Sequence, residues 1–155
     1  MNLKNTVRIA IIGMLFVSCS NEKSLEEYMV NSWETTYLKI EMPTFQKSDS
    51  TNVFEDTFLN SPPRRARSKY NKDGTFMAWF VNQKNEKSGE SKGNWKLKKD
   101  SLIVEFFYGG RNVKVRYHIE KTTDGFNGKS IYDWDEDGEF DDLLIMTTKK
   151  ITKEK

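Results

Sequence analysis

The chain of 155 residues carries a single cysteine and a single histidine. One thiol excludes an internal disulfide, and one imidazole excludes a His-rich metal set. No glycine-rich phosphate loop or serine-nucleophile motif is present. His118 alternates onto the polar side of its segment, which reads as a solvated surface histidine. With no nucleophile and no acid–base pair facing one another, the expectation is that the protein is not an enzyme. Long hydrophobic runs are also missing. The apolar stretch Ile9 to Val17 is too short to span a bilayer as a stable helix.

That short stretch is instead the middle of an export signal. Lys4 and Arg8 make its positive start, and Ser18 precedes Cys19. The sequence Leu15-Phe16-Val17-Ser18-Cys19 resembles the lipobox of bacterial lipoproteins, with Phe16 where Leu is more usual. The resemblance implies diacylation of the Cys19 thiol and cleavage before it. Residues 1–18 are then a signal peptide, 19–31 a lipid-anchored tether, and 32–155 the folded domain. The 155 residues less the 18 of the leader leave 137, the size of one domain. Lys4 and Arg8 account for the whole formal excess of +2, so 23 basic residues then face 23 acidic ones. A chain near neutrality has no global field to hold nucleic acid, which is set aside as a partner.

Most of the remaining sequence alternates. Val113, Val115, Tyr117 and Ile119 fall on one side of a segment, with Lys114, Arg116, His118 and Glu120 on the other, the period-two signature of a half-buried strand. Leu102, Val104, Phe106 and Tyr108 repeat it. The spacing predicts about eight strands, near 33–42, 65–71, 75–83, 91–98, 101–108, 112–121, 126–133 and 142–151. Turn signals such as Lys72-Asp73-Gly74, Gly109-Gly110 and Asp124-Gly125 separate them. Consecutive hairpins with no long helix predict an all-β fold, a small antiparallel up-and-down barrel. Ser24 and Glu27 have capping-box spacing for a short helix ahead of the first strand. The one long connection, Pro43 to Pro63, carries Phe54 and Phe58 four apart, as on one side of a helical turn, and reads as a lid.

Trp33 opening the first strand, Lys69-Tyr70-Asn71-Lys72-Asp73-Gly74-Thr75-Phe76, and Gly93-Asn94-Trp95-Lys96-Leu97 running into Asp100-Ser101-Leu102 resemble the lipocalin-like domains of small bacterial lipoproteins. The resemblance covers residues 32 to 151 and implies a lipocalin-like barrel on the outer membrane or cell surface. It assigns Trp33 and Trp95 as barrel plugs and Asp73-Gly74 as a tight turn, and says little about activity.

The last hairpin departs from that pattern. Between residues 133 and 142 seven of ten side chains are carboxylates. Asp133, Asp135 and Asp137 occupy positions one, three and five of a loop, Gly138 allows a sharp turn, the Glu139 carbonyl falls at seven and Asp141 at nine. That spacing suits Ca²⁺, whose six to eight oxygen ligands must converge from one short segment. Leu144 stands where an EF-hand needs glutamate, and the flanks are strands. The loop is similar to the D-x-D-x-D-G-x-x-D loops of β-propellers and other extracellular domains, with Asp142 as a further acceptor. The competing reading is an acidic turn adopted for conformational reasons alone.

Two functions follow as expectations. In the first, Phe76, Phe80, Phe106 and Tyr108, with Phe54 and Phe58 from the lid, line a pocket for a small apolar ligand. In the second, the barrel is filled and the outer surface and calcium loop dock a partner in the cell envelope. The basic run Arg64, Arg65, Arg67, Lys69 and Lys72 reads as solvated surface, or as a contact for anionic lipid headgroups or lipopolysaccharide.

Overall fold

The computed structural model describes residues 24–59 and 63–152; Cys19 and the lipobox lie outside the described residues. The chain forms a closed eight-stranded antiparallel barrel with one extra strand. Helix α1 (Leu25–Met29) precedes β1 (Ser32–Met42), followed by β2 (Asn52–Asp56), β3 (Arg65–Tyr70), β4 (Thr75–Val81) and β5 (Lys87–Lys98). After them come β6 (Ser101–Tyr108), β7 (Arg111–Lys121), β8 (Gly125–Tyr132) and β9 (Asp142–Lys150). Each strand from β3 to β8 pairs with the next, β1 pairs with β3, and β1–β9 pairing closes the ring. The alternating segments thus became strands within a few residues of their expected bounds; β5 starts earlier, at Lys87.

The long connection differs from its expected form. Asn52–Asp56 is a strand and not a helical turn. β3 covers the edge of β1 from Ser32 to Thr35, and β2 covers the same edge from Leu38 to Met42. The two lie end to end, so β2 satisfies backbone groups of β1 that β3 leaves behind. The local Phe54–Phe58 spacing cannot supply that, and the edge hydrogen bonds win. The strand ends where the Phe58 N–H donates to Asp56 Oδ1 (2.6 Å) with Phe58 at φ 59°, an Asx turn that bends the chain away.

One end of the barrel is filled. Ser24 caps α1 by accepting from the Glu27 N–H (3.2 Å), and Met29 is fully buried. Trp33, also fully buried, donates from its indole to the Met29 carbonyl (3.1 Å) and stands edge-on to Phe126 at 5.0 Å. Met29 therefore belongs to the packed core, with Leu25 and Tyr28 against it, and not to the tether expected over residues 19–31. Trp95 is buried and its indole N–H reaches the Asn71 carbonyl (2.8 Å). The inward row Val113, Val115, Tyr117 and Ile119 alternates with exposed residues along β7. Gly74 turns the β3–β4 hairpin at φ 83°, a conformation glycine adopts without Cβ strain.

Turn placement follows from the up-and-down order. The β3–β4, β5–β6 and β7–β8 turns share the α1 end. The β1–β2, β4–β5, β6–β7 and β8–β9 connections gather at the opposite end, the mouth.

Candidate metal centre and barrel cavity

The acidic loop joins β8 to β9 at the mouth. One carboxylate oxygen from each of Asp133, Asp135 and Asp142 lies within 4.8 Å of the other two. Asp133 and Asp142 are buried, Asp135 partly so. Asp142 opens β9 two residues before the inward Leu144, so strand alternation turns it inside. Its Oδ2 accepts backbone N–H groups of Trp134 and Asp135. Burial, chiefly, and then the neighbouring Asp135 and Asp141 charges push its carboxyl above the ordinary carboxylate range, against those two hydrogen bonds.

Asp133 is partnered on one side only. Its carbonyl accepts from Arg111 Nη2 (2.6 Å), and its Oδ2 is 3.7 Å from Arg111 Nη1. Its Oδ1 is buried without any hydrogen-bond partner among the described residues, a costly arrangement for a charged oxygen. Three hard oxygen donors with one orphaned lone-pair site form a group that can hold a metal ion.

The site is not the ladder expected from spacing. Asp137, Glu139 and Asp141 turn instead toward the segment after β1. Thr44 Oγ1 lies 3.5, 3.3 and 3.3 Å from carboxylate oxygens of Asp137, Glu139 and Asp141. The Gln46 N–H donates to Asp135 Oδ2 (2.8 Å) and the Lys47 N–H to Asp137 Oδ2 (3.4 Å). Gln46 and Lys47 adopt φ of 53° and 62°, so two successive N–H groups converge on the acidic loop as an anion-binding nest. Asp142 replaces Asp137 and Asp141 as a close member of the triad. Its burial parity on β9 is a sequence signal for this; the Thr44–Lys47 partner, some 90 residues away in the chain, leaves none. Gly138 does take the turn expected of it, at φ 93°. Phe140 is exposed and stands edge-on to Tyr132 at 5.5 Å.

A cavity of about 200 Å³ occupies the barrel between the filled end and the mouth. Phe76, Phe80, Phe106 and Tyr108 line it as expected, joined by Ala78 and Tyr117 among others. Tilted ring contacts link Phe76 to Phe106 (5.7 Å) and Phe106 to Tyr108 (6.3 Å). The phenols of Tyr70 and Tyr117, also at its wall, are driven far above their ordinary range by burial and stay neutral, which suits an uncharged occupant. Phe54 and Phe58 do not belong to it. Phe54 is exposed on β2, and Phe58 is buried away from the cavity wall, because strand pairing, not lid closure, decides where residues 52–58 go. His118 is on the outer wall between Asp100 (3.3 Å) and Glu120 (3.6 Å).

No model of a protein family matches this chain, and neither a curated protein nor a solved structure matches it significantly.

Proposed function

We propose that the protein is a lipid-anchored, lipocalin-like binding module of the outer membrane or cell surface, taking a small apolar ligand in its barrel and a structural Ca²⁺ in the acidic loop. The observation that carries this reading is the aromatic-lined cavity of about 200 Å³. An engineered apolar cavity of about 150 Å³ takes up benzene. The occupant here is therefore the size of one ring or a short branched chain, smaller than a long-chain fatty acid. Anchoring rests on Leu15 to Cys19, and no helix among the described residues is long and apolar enough to cross a membrane. The calcium assignment rests on the all-oxygen triad and the orphaned Asp133 Oδ1.

The test is uptake of fluorobenzene, followed by ¹⁹F NMR. We expect saturable binding with a dissociation constant of about 1 mM or tighter, abolished by Ala78→Phe, which fills the cavity, with the fold intact by circular dichroism. Absence of saturation in the wild type sinks the binding reading. The second reading, a structural or interaction lipoprotein with no small-molecule ligand, would then stand. It draws support from Val53, Phe54 and Leu59, which expose apolar surface along the β2 segment.

A further inference from the structure

A purely apolar occupant leaves one group of the cavity wall without a partner. Tyr117 projects inward from β7 in the row with Val113, Val115 and Ile119, and it borders the cavity while only 8% exposed. No hydrogen bond holds its hydroxyl among the described residues. Tyr28, packed against the same core, differs: its hydroxyl donates to the Gly125 carbonyl (2.6 Å). A buried phenol ordinarily finds a partner, and an unmatched O–H is costly. Nor is the Tyr117 hydroxyl sealed among side chains, as the unpartnered polar atoms of Ser130 and Trp134 are. It keeps accessible surface, and for an inward residue at this wall that surface faces the cavity.

The surroundings narrow the chemistry. Three strands separate β3 from β7 either way round the ring, so Tyr70 of β3 reaches the cavity from the opposite side, with Ser68 beside its phenol. Both phenols stay neutral. Among the described residues of the wall Arg67 alone carries a charge, and its guanidinium is held by Glu34 at 3.3 Å. A carboxylate entering the cavity would lose its water with no free cation to meet it. Trp79 Nε1 is also buried without a partner, but strand register places Trp79 beside Arg67 and Glu34 on the outward side. Tyr117 is therefore the donor that an occupant meets.

We propose that the cavity takes a compact neutral molecule carrying one oxygen acceptor, of the ketone or ether class, which receives the Tyr117 hydroxyl proton in a hydrogen bond. The inference rests on the binding reading above and names the class of ligand within it. Phe76 and Phe106 enclose the hydrocarbon part. The acceptor gives up a hydrogen bond to water and regains one from a phenol that otherwise has none, so it is held in one orientation at little cost.

The experiment sets 4-fluoroacetophenone against 4-fluorocumene, which has an isopropyl group in place of the acetyl. Both are titrated by ¹⁹F NMR into the full chain and into Tyr117→Phe. Comparing the change in one ligand with the change in the other cancels their different hydration. The variant is expected to weaken the ketone at least about fivefold relative to the hydrocarbon, and to move the carbonyl stretch of the bound ketone to higher frequency. Its melting temperature without ligand should equal or exceed that of the wild type, because the hydroxyl it lacks has no partner there. A clear fall in that temperature overturns the proposal. So does an unchanged ratio of affinities, while saturable binding of the hydrocarbon would still uphold the cavity reading. If neither compound saturates the wild type, both readings fail. Binding of 4-fluorobenzoate as tight as that of the ketone overturns the neutral class.

Discussion

Neutralising Asp142 should have opposite consequences with and without calcium. Two like charges within 4.8 Å of one another repel by at least about 3.5 kcal/mol at an effective dielectric of 20. Asp142→Asn relieves two such contacts, with Asp133 and with Asp135. Part of that gain is lost because the Trp134 and Asp135 N–H groups then donate to a neutral oxygen, and solvent at Asp135 screens more. The net relief is about 1–2 kcal/mol, or a rise in melting temperature of roughly 3–6 °C in EDTA. Calcium reverses the order. With a dissociation constant on the order of 0.1–1 mM, 10 mM Ca²⁺ stabilises the wild type by about 1.4–2.7 kcal/mol, and the variant, lacking one ligand, gains little. Differential scanning fluorimetry of both proteins in EDTA and in 10 mM Ca²⁺ reads all four values, with Mg²⁺ as the control ion. A wild type indifferent to calcium, or a variant that melts below wild type in EDTA, refutes the triad as a metal centre.

Other consequences can be checked singly. Trp33→Ala removes the fully buried plug of the filled end and should cost about 3–5 kcal/mol, seen as a large fall in the urea midpoint. Gly93→Ala places a Cβ against the Glu105 carbonyl between β5 and β6, so we expect a loss of more than about 2 kcal/mol, whereas Phe54→Asp on exposed β2 should change stability by less than about 0.5 kcal/mol and leave fluorobenzene binding unaltered. Asp73 accepts from the Thr75 hydroxyl and N–H, which hold its carboxyl below the ordinary value of 3.8. That depressed value contributes stability above pH 3.8 which is lost as pH falls through the folded-state value; the melting gap between wild type and Asp73→Ala should therefore be full at pH 6 and close at acid pH. Cys19→Ser should abolish incorporation of a fatty-acid analogue, and label retained by that variant would dismiss the lipobox.

How much of this was legible in the sequence depends on the range of the interaction. Period-two alternation in residues 101–121 and the turn residues between strands are local, and backbone geometry reads them directly; they determined an all-β meander nearly residue by residue. The same alternation would have turned Asp142 inward beside Leu144. Composition near residues 133–142 likewise marked an oxygen-rich loop. Tertiary structure alone decided which carboxylates leave the ladder, because Thr44 and the Lys47 N–H group, some 90 residues earlier, hold Asp137 and Asp141 toward their own segment. It also decided the fate of Phe54. Its spacing to Phe58 is a local helical signal, but the unpaired edge of β1 offers hydrogen bonds that no local turn can match. The cavity belongs to closure of the ring itself: it gathers side chains from strands far apart in sequence, Thr35 of β1 and Met146 of β9 among them, and β1–β9 pairing makes neighbours of those two strands.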